Sequence, residues 1–105
     1  MENVKFNFEV LQVYQKALDF VDLAYSLSSK FPKQELYGLT FQLNRAAVSI
    51  ALNIAEGAGD SNAQFNRFLQ ISIDSVKECV VCSTIAERRK YISIENNNTM
   101  RIRLE

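Results

Sequence analysis

The chain is predicted to be all-α, an antiparallel up-and-down four-helix bundle with a short or frayed fourth helix. Apolar residues recur at three- and four-residue intervals along most of the sequence, which is the period of an amphipathic helix and not of a strand. The breaks between these stretches are short, as antiparallel neighbours require. The 105 residues, 48% of them hydrophobic, are enough for a single domain, residues 1–105, that buries roughly two thirds of its unfolded surface.

The first helix is predicted from Phe8 to about Ser29. Val10, Tyr14, Ala17, Val21 and Ala24 form its apolar stripe, widened by Leu11, Leu18 and Tyr25, while Asp19, Asp22, Gln15 and Lys16 lie mostly outside it. "SSKFPKQE" ends the pattern, because Pro32 disfavours helical geometry at Phe31 yet suits the first turn of a new helix. Phe31 is placed to pack back across this junction.

The second helix is predicted from about Lys33 to Ala55, with Leu36, Leu39, Leu43, Ala46, Ala47, Ile50 and Ile54 on one side. Gly38 lies inside that span at a cost of about 1 kcal/mol relative to alanine, which suggests a close helix contact there. "EGAGDSN" supplies the stop, with Gly57 or Gly59 suited to a left-handed cap. Ser61 with Gln64 reads as a capping box opening the third and longest helix, which continues to about Lys90. Its expected apolar residues are Phe65, Phe68, Leu69, Ile71, Val76, Cys79, Val80 and Ile85. Ser93 is a cap for a fourth helix from Ile94, although "ENNNT" is poor helix material. Leu104 and Glu105 have the look of a cloning scar and carry no functional expectation.

Charge and composition narrow the function. Lysine plus arginine equals aspartate plus glutamate at 12 each, so no overall field draws the chain to nucleic acid or anionic lipid. Neither a signal-peptide core nor a membrane-length apolar run is present, and two cysteines three apart do not form a disulfide framework; a cytoplasmic location and no membrane partner are expected. With no histidine, the usual general base and the commonest metal ligand are missing, so no enzyme activity, cofactor or metal is expected.

Four local patterns invite a site. Gly57-Ala58-Gly59 follows no strand and lacks the rest of a phosphate fingerprint, so it reads as a helix stop. Cys79 and Cys82 have CxxC spacing but lie within a helical pattern, where free cysteines are ordinarily small core residues. Arg88, Arg89 and Lys90, with Tyr91 beside them, make the most basic run, joined by Arg101 and Arg103 if the fourth helix folds back. Such a set grips phosphate and stacks on bases, and it also compensates a helix dipole in the ordinary way.

The fourth pattern is a polar ridge on the second helix: Gln42, Arg45, Ser49, Asn53 and Glu56 at spacings of three and four. A solvated face is ordinarily richer in lysine and glutamate, so this ridge suits hydrogen bonding at a crowded contact, within the bundle or between subunits, ahead of a ligand site. Arg45 is too far from Glu56 for an ion pair, which makes Glu78 of the third helix a candidate partner. Glu35 completes this structural set; convergence of Glu35, Glu56 and Glu78 on a metal is a distant alternative.

"FPKQELYGLTFQLNRAAVSIALNIAEG", followed by "FNRFL" and "SVKE", resembles the four-helix-bundle family of 23S ribosomal RNA intervening-sequence proteins over about Phe8 to Tyr91. The resemblance is densest over Phe31, Pro32, Glu35, Leu39, Gln42, Arg45, Ala46, Ser49, Ile50 and Asn53 to Gly57. It implies a ring-like homo-oligomer, a pentamer, with no established enzymatic activity and no defined cofactor. The family is also similar to accessory proteins of diversity-generating retroelements, basic pentameric barrels that bind nucleic acid and a reverse transcriptase. This sequence departs from that pattern at Asp60 and Asp74, which remove positive charge from the turn between the second and third helices. The resulting expectation is a homo-oligomeric, RNA-associated or assembly module, with Arg67, Arg88, Arg89, Lys90 and Tyr91 as nucleic-acid contacts repeated around the ring. The rival expectation is a scaffold that docks another protein and has no nucleic-acid affinity.

Overall fold

The computed structural model describes residues 6–59 and 61–104. Among them, regular structure is entirely helical: α1 (Gln12–Ser28), α2 (Leu39–Gly57), α3 (Asn62–Arg88) and α4 (Ile94–Leu104), with 3-10 turns at Asn7–Val10 and Lys33–Glu35. Each helix packs on the next and α4 closes on α1, as in an up-and-down bundle.

The N-terminal boundary differs from the predicted continuous helix. Leu11 is extended (φ −70°, ψ 131°) between the first 3-10 turn and α1. Local bonds stabilise that break: the Phe6 N–H donates to Glu9 Oε1 at 2.9 Å and Gln15 Nε2 donates to the Glu9 carbonyl at 2.7 Å. Phe8 meets Tyr14 edge-on at 5.1 Å. The buried stripe of α1 is Ala17, Phe20, Ala24, Leu27 and Ser28; Val10, Leu18 and Tyr25, expected on it, are exposed.

The second helix also begins later than expected. After Pro32 the chain makes a 3-10 turn, and Gly38 precedes α2 in a non-helical conformation instead of lying within it. The Glu35 carboxylate explains the delay, since Oε1 accepts the Leu39 N–H at 3.2 Å and so caps α2. Leu36 is thereby left exposed. From Leu39 onward the prediction holds: Leu43, Ala46, Ala47, Ile50 and Ile54 are buried, joined by Ala51.

Gly57 is the last residue of α2, and Gly59 (φ 86°) takes the left-handed turn; Asp60 lies outside the described residues. A Cβ at Gly57 would sit 2.9 Å from both Phe65 Cδ1 and Phe68 Cβ, so a side chain there would obstruct the approach of α3. The serine half of the expected capping box is present, the Gln64 N–H donating to Ser61 Oγ at 3.3 Å.

The buried face of α3 corrects the sequence expectation. It consists of Ser72, Ser75, Cys79, Cys82, Ser83 and Ala86, whereas Ile71 and Ile85 face outward. Small residues allow α2 and α3 to lie close together, and the serines keep their hydroxyls satisfied: Ser72 Oγ donates to the Ile50 carbonyl at 3.3 Å.

Ser93 caps α4 as predicted, its hydroxyl accepting the Asn96 N–H at 3.0 Å. The helix persists through "ENNNT" because Asn97 and Met100 are buried against the bundle. Asn97 Oδ1 accepts from the Ser83 hydroxyl, and Asn97 Nδ2 donates to Glu87 Oε1 at 2.8 Å. Leu104 packs against the core and is thus part of the fold; Glu105 lies outside the described residues.

Candidate functional site

The basic run is built by the way α3 ends. Arg88 is the last helical residue, Arg89 is the cap, and Lys90 takes a left-handed conformation (φ 64°), the sole non-glycine with positive φ among the described residues. The Lys90 N–H donates to the Glu87 carbonyl at 2.9 Å and the Tyr91 N–H to the Ala86 carbonyl at 2.8 Å. This is a Schellman termination, which usually places glycine where Lys90 stands. Arg88, Arg89 and Lys90 are all exposed at this one end of the bundle.

Tyr91 is tied inward. Its hydroxyl donates to Glu35 Oε2 at 2.9 Å, and its ring lies 5.6 Å from that of Phe31. Phe31 therefore bridges the start of the α1–α2 connection to the α3–α4 connection. The Leu39 N–H, the Tyr91 hydroxyl and the Arg89 charge hold the Glu35 carboxyl below its ordinary range against a smaller effect of burial. The carboxylate in turn pushes the Tyr91 hydroxyl up, with burial adding to it.

Arg67 is exposed near the start of α3, 21 residues before Arg88 and about 30 Å from it along the helix axis, so it does not join that cluster. Arg101 does approach α3, where Nη2 donates to Thr84 Oγ1 at 2.7 Å.

The polar ridge of α2 divides into a packed centre and exposed ends. Asn53 Nδ2 donates to the Ser49 carbonyl at 2.8 Å and to Ser49 Oγ at 3.1 Å, and Ser75 Oγ donates to Ser49 Oγ at 3.0 Å. These residues form an α2–α3 seam within one chain. Gln42, Arg45 and Glu56 are exposed, as is Glu78 on α3. Arg45 lines a shallow depression with Tyr25, Leu36, Phe41, Val48 and Leu52.

Glu35, Glu56 and Glu78 do not converge: the first two lie at opposite ends of α2, and among the described residues no three cysteine or carboxylate side chains are grouped as a metal site. Cys79 and Cys82 are free and buried; desolvation pushes the Cys79 thiol up to about 12, away from thiolate chemistry.

Sequence reasoning missed the Ser28–Asn44 bond (3.0 Å) and the Ser83–Asn97–Glu87 group. Their signal was small polar residues at apolar helix positions. No described helix is long and apolar enough to cross a membrane.

Comparison with curated proteins gives no match. A family model described as 23S rRNA-intervening sequence protein matches residues 9–105, nearly the whole chain and every element described above except the first part of the N-terminal turn. The helical bundle and this match together place the chain in the 23S rRNA-intervening sequence protein family.

Proposed function

We propose that this protein is a non-catalytic cytoplasmic bundle that assembles with copies of itself, as a pentameric ring, and associates with RNA through the α3–α4 end. The observation that carries the reading is the clustering of Arg88, Arg89 and Lys90 at one exposed terminus, with a lysine in the left-handed position that glycine fills at lower cost. Repetition around a ring multiplies phosphate contacts while each chain stays neutral. The family description favours RNA as the nucleic acid. Self-assembly is supported by the apolar residues left outside the fold, among them Tyr25, Leu36, Tyr37, Phe41 and Leu52.

The same apolar surface supports a second reading, a scaffold that docks another protein and has no affinity for nucleic acid. A titration of untagged protein with structured RNA and duplex DNA at two salt concentrations, with oligomer mass measured in the same buffer, separates them. RNA binding that weakens steeply with salt and is lost in Arg88→Ala/Arg89→Ala, with the mass unchanged, is expected. An intact oligomer that binds no RNA at low salt refutes the RNA reading.

A further inference from the structure

Two outer faces of the bundle carry apolar stripes on the sides away from α4. On the first, Phe41, Arg45, Val48 and Leu52 follow spacings of four, three and four along α2 and line the shallow depression beside Tyr25. Phe41 and Leu52 are more than half exposed, and Arg45 is the only charged residue in the described lining. On the second, Ile71, Asp74, Glu78, Val81 and Ile85 of α3 follow the same alternation of three and four and are all exposed. α4 approaches the other flank of α3, where it bonds to Ser83, Thr84 and Glu87. Both charges on the α3 stripe are negative, with Lys77 exposed on its solvent side.

The α2–α3 seam fixes the relative heights of the two stripes. On these antiparallel helices Ser75 meets Ser49, and Ser72 meets the Ile50 carbonyl. Arg45 precedes Ser49 by four residues and Glu78 follows Ser75 by three, so they lie about 6 Å and about 4.5 Å from that level in the same direction. Leu52 and Ile71 lie about 4.5 Å and about 6 Å from it in the opposite direction. Phe41 falls at a height between those of Val81 and Ile85.

We propose that the α2 stripe of one copy packs on the α3 stripe of the next, with Arg45 paired to the partner subunit's Glu78. This rests on the self-assembly reading above and names the two surfaces and the charge pair that assembly uses. The occupant is a second copy because the stripes of a single chain complement each other in sign, in apolar content and in height. Two different faces meeting head to tail close into a ring by rotation without rise. With the bundles upright around the ring axis, each contact then joins residues of equal height, which sets Arg45 level with Glu78 and Leu52 level with Ile71. The charge pair also sets the register, since a shift of one turn toward Val81 leaves both charges unpaired.

The first test is the mass of the full-length protein by sedimentation equilibrium, with circular dichroism confirming that each variant is folded. Arg45→Glu and Glu78→Arg, each placing like charges across the contact, are expected to weaken association at least about tenfold. Arg45→Glu/Glu78→Arg is expected to restore the parent mass. The second test is oxidative cross-linking: a mixture of Leu52→Cys and Ile71→Cys chains is expected to give a covalent dimer that neither variant gives alone. A multimeric parent whose mass is unchanged by the single charge reversals overturns this pairing and leaves self-assembly standing. Failure of the double reversal to restore the mass, or of the mixture to cross-link, likewise overturns it. A parent of single-chain mass at every concentration overturns the self-assembly reading itself and this pairing with it.

Discussion

Replacing Gly57 by alanine sets two effects of opposite sign against each other. Within a helix, alanine is preferred over glycine by about 1 kcal/mol, and less at a terminal residue such as this one. Against that, the new methyl group would lie 2.9 Å from Phe65 Cδ1, 2.9 Å from Phe68 Cβ and 3.4 Å from Phe68 Cδ2. The Phe65 ring edge can swing aside. Phe68 Cβ is fixed to the α3 backbone and yields only if the two helices move apart. Overpacking of this kind costs about 1 to 3 kcal/mol, so the steric effect wins and the net loss is about 1 to 2 kcal/mol. In a domain of this length that lowers Tm by about 5 to 10 °C. Thermal unfolding followed by circular dichroism, at fixed protein concentration and with oligomer mass checked, measures it. A Tm equal to or above that of the parent would refute the close approach of α2 and α3 at this residue.

Lys90→Gly is expected to stabilise the chain by about 1 kcal/mol, because glycine meets no Cβ penalty at φ 64°, and to weaken RNA binding; an unchanged Tm would contradict the termination geometry. Asn97→Leu is expected to cost about 1 to 3 kcal/mol by stranding the buried Ser83 hydroxyl and the Glu87 bond, seen as a lower Tm and faster proteolysis within α4. The Glu35–Tyr91 contact gives stability a pH window. The depressed Glu35 carboxyl contributes above its ordinary value of 4.5 and loses that contribution as pH falls through its folded value. The raised Tyr91 hydroxyl contributes below 10.0 and loses that contribution as pH rises through its folded value. Glu35→Gln should flatten the acid limb and lower the alkaline limb's dependence on Tyr91; stability curves identical to the parent at both ends would refute the contact.

From Leu39 onward α2 was the most legible stretch, because its core positions are filled by leucine, isoleucine and alanine at a clean helical period, from Leu39 to Ile54. α3 was misread for a physical reason. Hydropathy selects Ile71 and Ile85, but the tight α2–α3 contact selects for small volume, and Ser72, Ser75 and Ser83 can be buried because each hydroxyl finds an acceptor. The Ser49–Asn53 part of the polar ridge was readable, being one turn apart on a single helix. The Glu35–Tyr91 bond was not, since 56 positions separate its partners and only the folded bundle brings them together. The late start of α2 follows from that same carboxylate, which caps Leu39, an effect that local propensity does not contain. The end of α3 was legible to within two residues, expected at about Lys90 and found at Arg88, but the left-handed turn at Lys90 was not, because a glycine, the usual signal, is absent there.

The closing helix is fastened mainly by directional bonds, with Met100 as its one fully buried large side chain. Such bonds exchange with water at modest net cost, so α4 has a route to opening that leaves the α2–α3 pair intact. Its amide protons should then exchange through local excursions while those of α2 wait for the whole domain to unfold.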